Sequence, residues 1–330
     1  MSNRKWTLGL ISIVLLVFCY FIFQFVSSTV KIDHLVLQME QGNVEDKSIK
    51  SVVLIAQELD NPFWGMVEKG AKEAALQLGM QIDFRGPIRI NPSEQTKLLE
   101  QSIAAKADAI VVQGIKDKQY DLLISKAIND GIPVITVDAD EPASRRLAYV
   151  GTDNREAGKR MGELVIKDAG GRGHIGVIIG SELADNQQQR LEGFRSIIAS
   201  TPGFEIVAVR SSNISRIQAA KQTEAMLNQY ASIQTMVGFS SLDAVGIVEG
   251  MKAAKRAGLR VFGFDDLEET KQGIAQGVIL ASIVQQPEEI GFKAVHLLGD
   301  YFKGDVFPVQ LFTATDILDI THLKSRVNSP

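Results

Sequence analysis

The chain has 330 residues, 45% hydrophobic and 22% charged, with 35 basic against 39 acidic side chains and a net charge of -4. That balance supports an ordinary packed core and excludes nucleic acid as a partner, because phosphate binding needs a clustered basic surface and no Lys/Arg block longer than two follows residue 28. The single cysteine, Cys19, excludes an internal disulfide from everything after it.

The first predicted element is an apolar run from Leu8 to Val26, behind the basic pair Arg4 and Lys5. About 19 residues rising roughly 1.5 Å each cross a hydrocarbon core of about 30 Å, whereas a cleavable signal has an apolar core of only about 7–15. The run therefore predicts a membrane anchor over residues 1–28, with Trp6 and Tyr20 as interfacial aromatics and everything after Ser28 outside the cytoplasm. The small residues of Val26–Ser28 leave cleavage open as the alternative. A bulky Phe18 before Cys19 favours a plain membrane-embedded thiol over a lipidated one.

Residues 29–49 are polar and mixed, with Ile32, Leu35 and Met39 at helical spacing. One such repeat is too short for a coiled coil, so a stalk in the form of a short helix or flexible spacer is expected.

From Lys50 onward, strand and helix patterns alternate. Short β-branched runs recur at Ser51–Ala56, Ala109–Val112, Val134–Val137, Ile175–Ile179, Glu205–Val209, Gln234–Phe239 and Arg260–Phe264. Between the early ones, Asn61–Leu78 carries an apolar stripe (Phe63, Val67, Ala71, Ala74, Ala75, Leu78) and stops at Gly79, and Ser93–Ala105 and Asp117–Asn129 repeat the helical pattern. Such alternation implies parallel sheets with right-handed crossovers, an α/β fold. The rhythm restarts after Tyr149–Asn154, which predicts two doubly wound lobes. Ligands of open α/β sheets sit at the carboxyl ends of strands, so two facing lobes would enclose a small molecule between them.

Six motifs occur in register between Lys50 and Asp305: Gln57-Glu58-Leu59-Asp60-Asn61-Pro62-Phe63-Trp64, Gly131-Ile132-Pro133-Val134-Ile135-Thr136-Val137-Asp138, Tyr149-Val150-Gly151-Thr152-Asp153-Asn154, Gln189-Arg190-Leu191-Glu192-Gly193-Phe194, Val261-Phe262-Gly263-Phe264-Asp265 and Ala281-Ser282-Ile283-Val284-Gln285-Gln286-Pro287. Together they resemble the type I periplasmic sugar-binding proteins, the ribose-binding branch in particular. Sugar-responsive repressors share that fold but carry an N-terminal helix-turn-helix, where this chain has its apolar run.

The resemblance implies a three-strand hinge, with crossings near Gly151–Asp153, Ile283–Gln285 and Leu311–Thr313. Lobe one would then be 50–151 plus 285–311, and lobe two 152–284 plus 312–330. It also implies that Phe63 and Trp64 sandwich a sugar, that Asn61, Asp138 and Asp265 hydrogen-bond its hydroxyls, and that Gln285 bonds it from the other side. Aromatic faces and carboxylates suit a ligand with apolar CH faces and hydroxyl groups. From the residues alone, the alternative is that Asn61 or Asp60 only N-caps this helix while Phe63 and Trp64 pack in the core, and that a strand-end aspartate is a turn residue.

The departures from the resemblance fall on the same site. Ala139 and, on an ungapped alignment, Gln188 stand where arginines are expected, and Ser240 stands where an asparagine is expected. Neither Ala nor Gln reproduces an arginine's rigid fork of donors. Arg190 swinging inward is a candidate substitute, its other role being a salt bridge at a helix start. Gln57, Glu58 and Asp140 are further candidates to fill the space. The resulting acidic balance fits a polyol, an amino sugar or another neutral or cationic hydroxylated ligand.

No catalytic signature accompanies this site. The four histidines are scattered, and the sequence has no HExxH, GxSxG or Walker loop. No enzyme activity, cofactor or metal is expected. Gly170-Gly171-Arg172-Gly173 precedes a strand and so reads as a turn, and Asn213-Ile214-Ser215 matches a glycosylation sequon incidentally. The resemblance leaves two partners: the permease of an ABC sugar importer, or a membrane sensor histidine kinase served by an anchored co-receptor. The anchor and stalk favour the co-receptor.

Overall fold

The computed structural model describes residues 49–327 except Leu183, together with Tyr20 and Gln24. The chain divides into two compact units, Met1–Ser48 and Ile49–Pro330. The anchor and stalk expectations therefore lie outside the described residues, apart from Tyr20, Gln24 and Ile49. Tyr20 and Gln24 are helical, and Gln24 Nε2 donates to the Tyr20 hydroxyl at 3.0 Å. Among the described residues no helix is long and apolar enough to cross a membrane.

The second unit contains two six-stranded sheets. The first is built from β1 (Lys50–Ile55), β2 (Met80–Arg85), β3 (Ala109–Gln113), β4 (Val134–Val137), β5 (Ala148–Thr152) and β11 (Gln310–Thr313), in the order β11-β5-β4-β3-β1-β2 and parallel throughout. Its helices are α1 (Pro62–Leu78), α2 (Pro92–Ala104), α3 (Lys118–Asn129) and α9 (Pro287–Lys303). Strands β3, β4 and β5 are buried along their whole length, as strands covered on both faces must be, and this is why they read as mostly apolar runs without alternation.

The second sheet repeats the plan with β6 (Gly173–Ile179), β7 (Phe204–Ser211), β8 (Thr235–Gly238), β9 (Arg260–Phe264), β10 (Ala281–Val284) and β12 (Asp316–Asp319), in the order β12-β10-β9-β8-β6-β7. Only β12 runs antiparallel. Its helices are α4 (Asn154–Ala169), α5 (Asp185–Ser200), α6 (Arg216–Gln229), α7 (Asp243–Ala253), α8 (Glu268–Ala275) and α10 (Ile320–Val327). Each sheet is lined on both faces by a hydrophobic core cluster.

The chain passes between the sheets after Thr152, after Val284 and between Thr313 and Asp316. The third passage lies at residues 314–315 rather than at Leu311–Thr313, because β11 stays paired with β5 through Thr313. The edge strand β2, which is not among the β-branched runs, is half-buried and alternates Gln81, Asp83 and Arg85 with apolar residues.

In each lobe one helix pair is locked by reciprocal glycines. A Cβ on Gly70 of α1 would lie 1.8 Å from the Glu288 carbonyl oxygen of α9, and one on Gly291 of α9 would lie 1.9 Å from that of Val67. In lobe two, a Cβ on Gly158 of α4 would meet the Arg190 carbonyl at 2.0 Å, and one on Gly193 of α5 that of Arg155 at 2.0 Å. These contacts fix α1, whose first turn carries Phe63 and Trp64, and α5, whose second turn carries Arg190.

Candidate functional site

Helix α1 begins at the cleft because Asn61 caps it: its Oδ1 accepts from the Phe63 backbone N–H at 3.1 Å, and Pro62 suits the first turn. The rest of the Asn61 amide faces outward. Its Nδ2 donates to Glu58 Oε1 at 3.0 Å and to the Ser241 hydroxyl of lobe two at 3.3 Å. The two readings of Asn61, cap and cleft residue, thus hold together in one side chain. Phe63 and Trp64 follow, edge to face with ring centroids 5.6 Å apart; both line the cleft and both are buried in the hydrophobic core cluster of lobe one.

Asp138 ends β4 and Asp265 ends β9, each in the left-handed region at φ 62. That region is uncommon for non-glycine residues, and aspartate tolerates it better than most. Each backbone is tied to the neighbouring strand, Asp138 N–H to the Val150 carbonyl at 3.3 Å and Asp265 N–H to that of Ile283 at 2.7 Å. Each carbonyl also accepts a hydroxyl, from Tyr149 at 2.8 Å and from Ser282 at 2.6 Å. The left-handed turn therefore presents both carboxylates to the space between the sheets. Asp138 Oδ2 accepts from Gln113 Nε2 at 2.8 Å and, across the cleft, from Asn186 Nδ2 at 3.0 Å. Asp265 Oδ1 accepts from Gln285 Nε2 at 3.0 Å.

Arg190 lies between them, 2% exposed. Its guanidinium donates to Asn154 Oδ1 at 2.8 Å, to the Phe239 carbonyl at 2.7 Å and to Gln285 Oε1 at 2.7 Å, and stacks 4.0 Å from the centroid of Phe264. It has swung inward and makes no salt bridge at the helix start. Burial pushes the Asp138 and Asp265 carboxyls up, Asp265 to about 6, while the Arg190 charge pulls both back down. Burial lowers the guanidinium in turn, opposed first by Asp138 and then by Asp265. The three groups form one charge system out of water.

Eight of the nine residues singled out from sequence line this inner chamber: Asn61, Phe63, Trp64, Asp138, Arg190, Ser240, Asp265 and Gln285. Gln188 does not. Its Nε2 donates to the Glu182 carbonyl at 3.1 Å, away from the cleft, and Asn186 and Gln187 occupy the place assigned to it. The reason is helical phase: with Arg190 facing inward, residues three and four back share its face and the residue two back does not. That spacing, applied to Arg190, would have found both. Ser241 and Ile214 also line the chamber and carry no sequence signal of their own.

The chamber is narrow, about 30 Å³, because the Asn61–Ser241 and Asn186–Asp138 bonds cross it. The Ser240 hydroxyl oxygen is buried at its wall, beside the Asp243 carboxylate. Its backbone N–H donates to Asp243 Oδ2 at 2.9 Å, and burial pushes the Asp243 carboxyl up to about 6. A chamber walled by two carboxylates, one guanidinium, amides, a buried hydroxyl and two aromatic rings is equipped to exchange hydrogen bonds with a small polyhydroxylated molecule.

Of the further candidates, Gln57 borders the inner chamber, and Gln57 and Glu58 border a second cavity of about 630 Å³. Burial raises the Glu58 carboxyl above its ordinary range. Asp140 is taken up structurally: it pairs with Arg146 and accepts from the Thr136 hydroxyl at 2.7 Å. Beside it, burial and then the facing Asp121 push Glu141 up to about 8. Among the described residues no group of His, Cys, Asp or Glu is arranged to hold a metal ion.

Comparison with known proteins agrees with this architecture. A family model described as "Periplasmic binding protein domain" matches residues 52–305. The crystal structure of GanP, a glucose-galactose binding protein from Geobacillus stearothermophilus, is similar with 37% identity and a TM-score of 0.80, over 82% of this chain and 97% of that one. The XylFII-LytSN complex contains a chain with 31% identity and a TM-score of 0.78, covering 83% and 99%. An ABC transporter solute binding protein from Burkholderia graminis, in complex with D-arabinose, gives 27% and 0.79, covering 84% and 97%. With a matching model over most of its length and a two-lobed fold to go with it, this chain belongs to the periplasmic binding protein family.

Proposed function

We propose that this protein is an extracytoplasmic receptor that binds a neutral sugar or sugar-like polyol in the inner chamber. The observation that carries this reading is the pair of strand-end aspartates, Asp138 and Asp265, turned into one cleft with Arg190 between them and Phe63 and Trp64 alongside. Hydroxyls donate to the carboxylates and accept from the guanidinium, and the rings cover a CH face. A sugar ring requires the lobes to part and exchanges the Asn61–Ser241 and Asn186–Asp138 bonds for its own. The ligand then favours the closed form by as much as it binds that form better.

Delivery to the permease of an ABC importer is the partner reading best supported, since the similar Burkholderia graminis protein is an ABC transporter solute binding protein. A membrane sensor kinase is the second partner, favoured by the similarity to the chain in the XylFII-LytSN complex. Together with the apolar run Leu8–Val26 behind Arg4 and Lys5, that likeness supports an anchored co-receptor facing out of the cytoplasm. Retention of the run in the mature protein is tested by N-terminal sequencing of the membrane fraction, and orientation by protease accessibility of intact cells. Affinity purification from membranes with the ligand present separates the two partners. Copurification of a permease supports import, and of a kinase, sensing.

A further inference from the structure

The cavity of about 630 Å³ beside the inner chamber is unassigned by the reading above, and its size lies within the range of about 300–1,000 Å³ typical of ligand pockets. It adjoins the inner chamber: Gln57, Ala184 and Ile214 border both and stand at the boundary between them. Ile214 holds its place at that boundary under backbone constraint. Asn213 and Ile214 both stand at φ 49, a region that a β-branched residue rarely adopts, and the Ile214 N–H is pinned to the Gly180 carbonyl at 2.8 Å.

The cavity's chemistry differs from that of the chamber. Both lobes line it, lobe one with Glu58 and Arg89, lobe two with Asn213, Ser215 and Arg216. Carboxylate and guanidinium groups are mixed, which disfavours a ligand of either net charge and suits neutral hydroxyls that both donate and accept. The apolar lining is aliphatic, from Ile90, Ile115, Ile214 and Ile217, with no aromatic ring. A ring held there rests on aliphatic carbons and polar side chains without stacking.

From these observations we infer that the outer cavity is a second subsite, holding a glycosyl unit linked across the Gln57–Ala184–Ile214 boundary to the sugar in the inner chamber when the lobes part to admit the ligand, so that the natural ligand is a disaccharide or longer glycoside. The inference rests on the sugar-binding reading of the inner chamber. Because the second unit touches both lobes, it adds to the preference for the closed form.

The test is calorimetric titration of the full chain with D-glucose and D-galactose, and with their α- and β-linked disaccharides. At least one disaccharide is expected to bind tenfold or more tightly than either component sugar. Ile217→Trp, at a side chain 66% exposed on the cavity wall, is expected to crowd the second unit, reduce that gain and leave monosaccharide affinity within twofold. Arg89→Ala, at an exposed side chain of the opposite lobe, reads the same loss without adding bulk. Monosaccharide binding with no disaccharide gain overturns the outer subsite alone, as does a loss that falls equally on both ligands. Absence of binding by these sugars and by pentoses, other hexoses, amino sugars and inositols alike overturns the inner-chamber reading and the subsite with it.

Discussion

Asp138 and Asp265 occupy matching points of the two lobes and are built alike. Each follows the fourth strand of its sheet at φ 62, each is anchored to the next strand, and each accepts from a glutamine. They differ in what else faces the carboxylate. Asp265 is held by Gln285, which also binds Arg190, so its setting is complete within lobe two and the hinge. Asp138 is clasped by Asn186 from the opposite lobe, so its setting depends on the lobes being together. One carboxylate is a preset acceptor, and the other is exposed or satisfied according to closure.

The largest expected effect comes from removing the charge the two aspartates share. Arg190→Ala should cost about 3–5 kcal/mol of folding stability, because it leaves buried carboxylates without their counter-charge. Urea unfolding of the variant beside the parent measures it, and a loss below about 1 kcal/mol, the scale of an exposed pair, would contradict the shared charge system. Next come the glycine locks. Gly193→Ala should destabilise by about 1–3 kcal/mol through overpacking against the Arg155 carbonyl. It should also weaken ligand binding, because α5 carries Arg190, whereas a structural role alone would leave affinity unchanged. Phe63→Leu keeps an apolar wall but loses the ring face, and should weaken sugar binding by about 1 kcal/mol.

pH separates the two settings further. Burial raises the Asp265 carboxyl from 3.8 to about 6, so between those values the folded, ligand-free protein holds a proton that the unfolded chain has lost. The stability this group contributes is therefore fully present below the ordinary carboxylate range and is lost as pH rises through about 6. Sugar binding has the opposite sign, since the ionised carboxylate is the better acceptor: affinity should fall as pH drops from about 7.5 to about 5. Titrations across that range check it, and Asp265→Asn should flatten the slope. The smallest effect is at Gln188, whose side chain faces away: Gln188→Ala should leave affinity within about 0.5 kcal/mol while Gln187→Ala does not.

Much of the fold was legible because the strands that carry the site, β4 and β9, are buried apolar runs bounded by turn residues. The helix of Asn61 was legible from its cap, its proline and its terminal Gly79. Edge strand β2 was not, although Gly79 and Gly86-Pro87 bound it, because half-burial leaves a short run in which Gln81, Asp83 and Arg85 interrupt the apolar residues. Within the site, Asp138 and Asp265 stand out as strand ends, but Asn186 and Gln187 were lost to an ungapped alignment that ignored the helical phase set by Arg190. The cross-cleft bonds of Asn61 and Asn186 arise from tertiary placement, and no local pattern announces them.

The central claim is that the aspartates turned into the cleft hold the ligand. It is tested most directly by calorimetric titration of the full chain and of Asp265→Ala with a panel of pentoses, hexoses, amino sugars and inositols. The account predicts saturable one-to-one binding of at least one neutral member, weakened in the variant by about 1–3 kcal/mol, roughly 5- to 150-fold, as a ligand hydroxyl loses its acceptor. Equal affinity in the folded variant and the parent would contradict it, and would move the binding site away from the inner chamber.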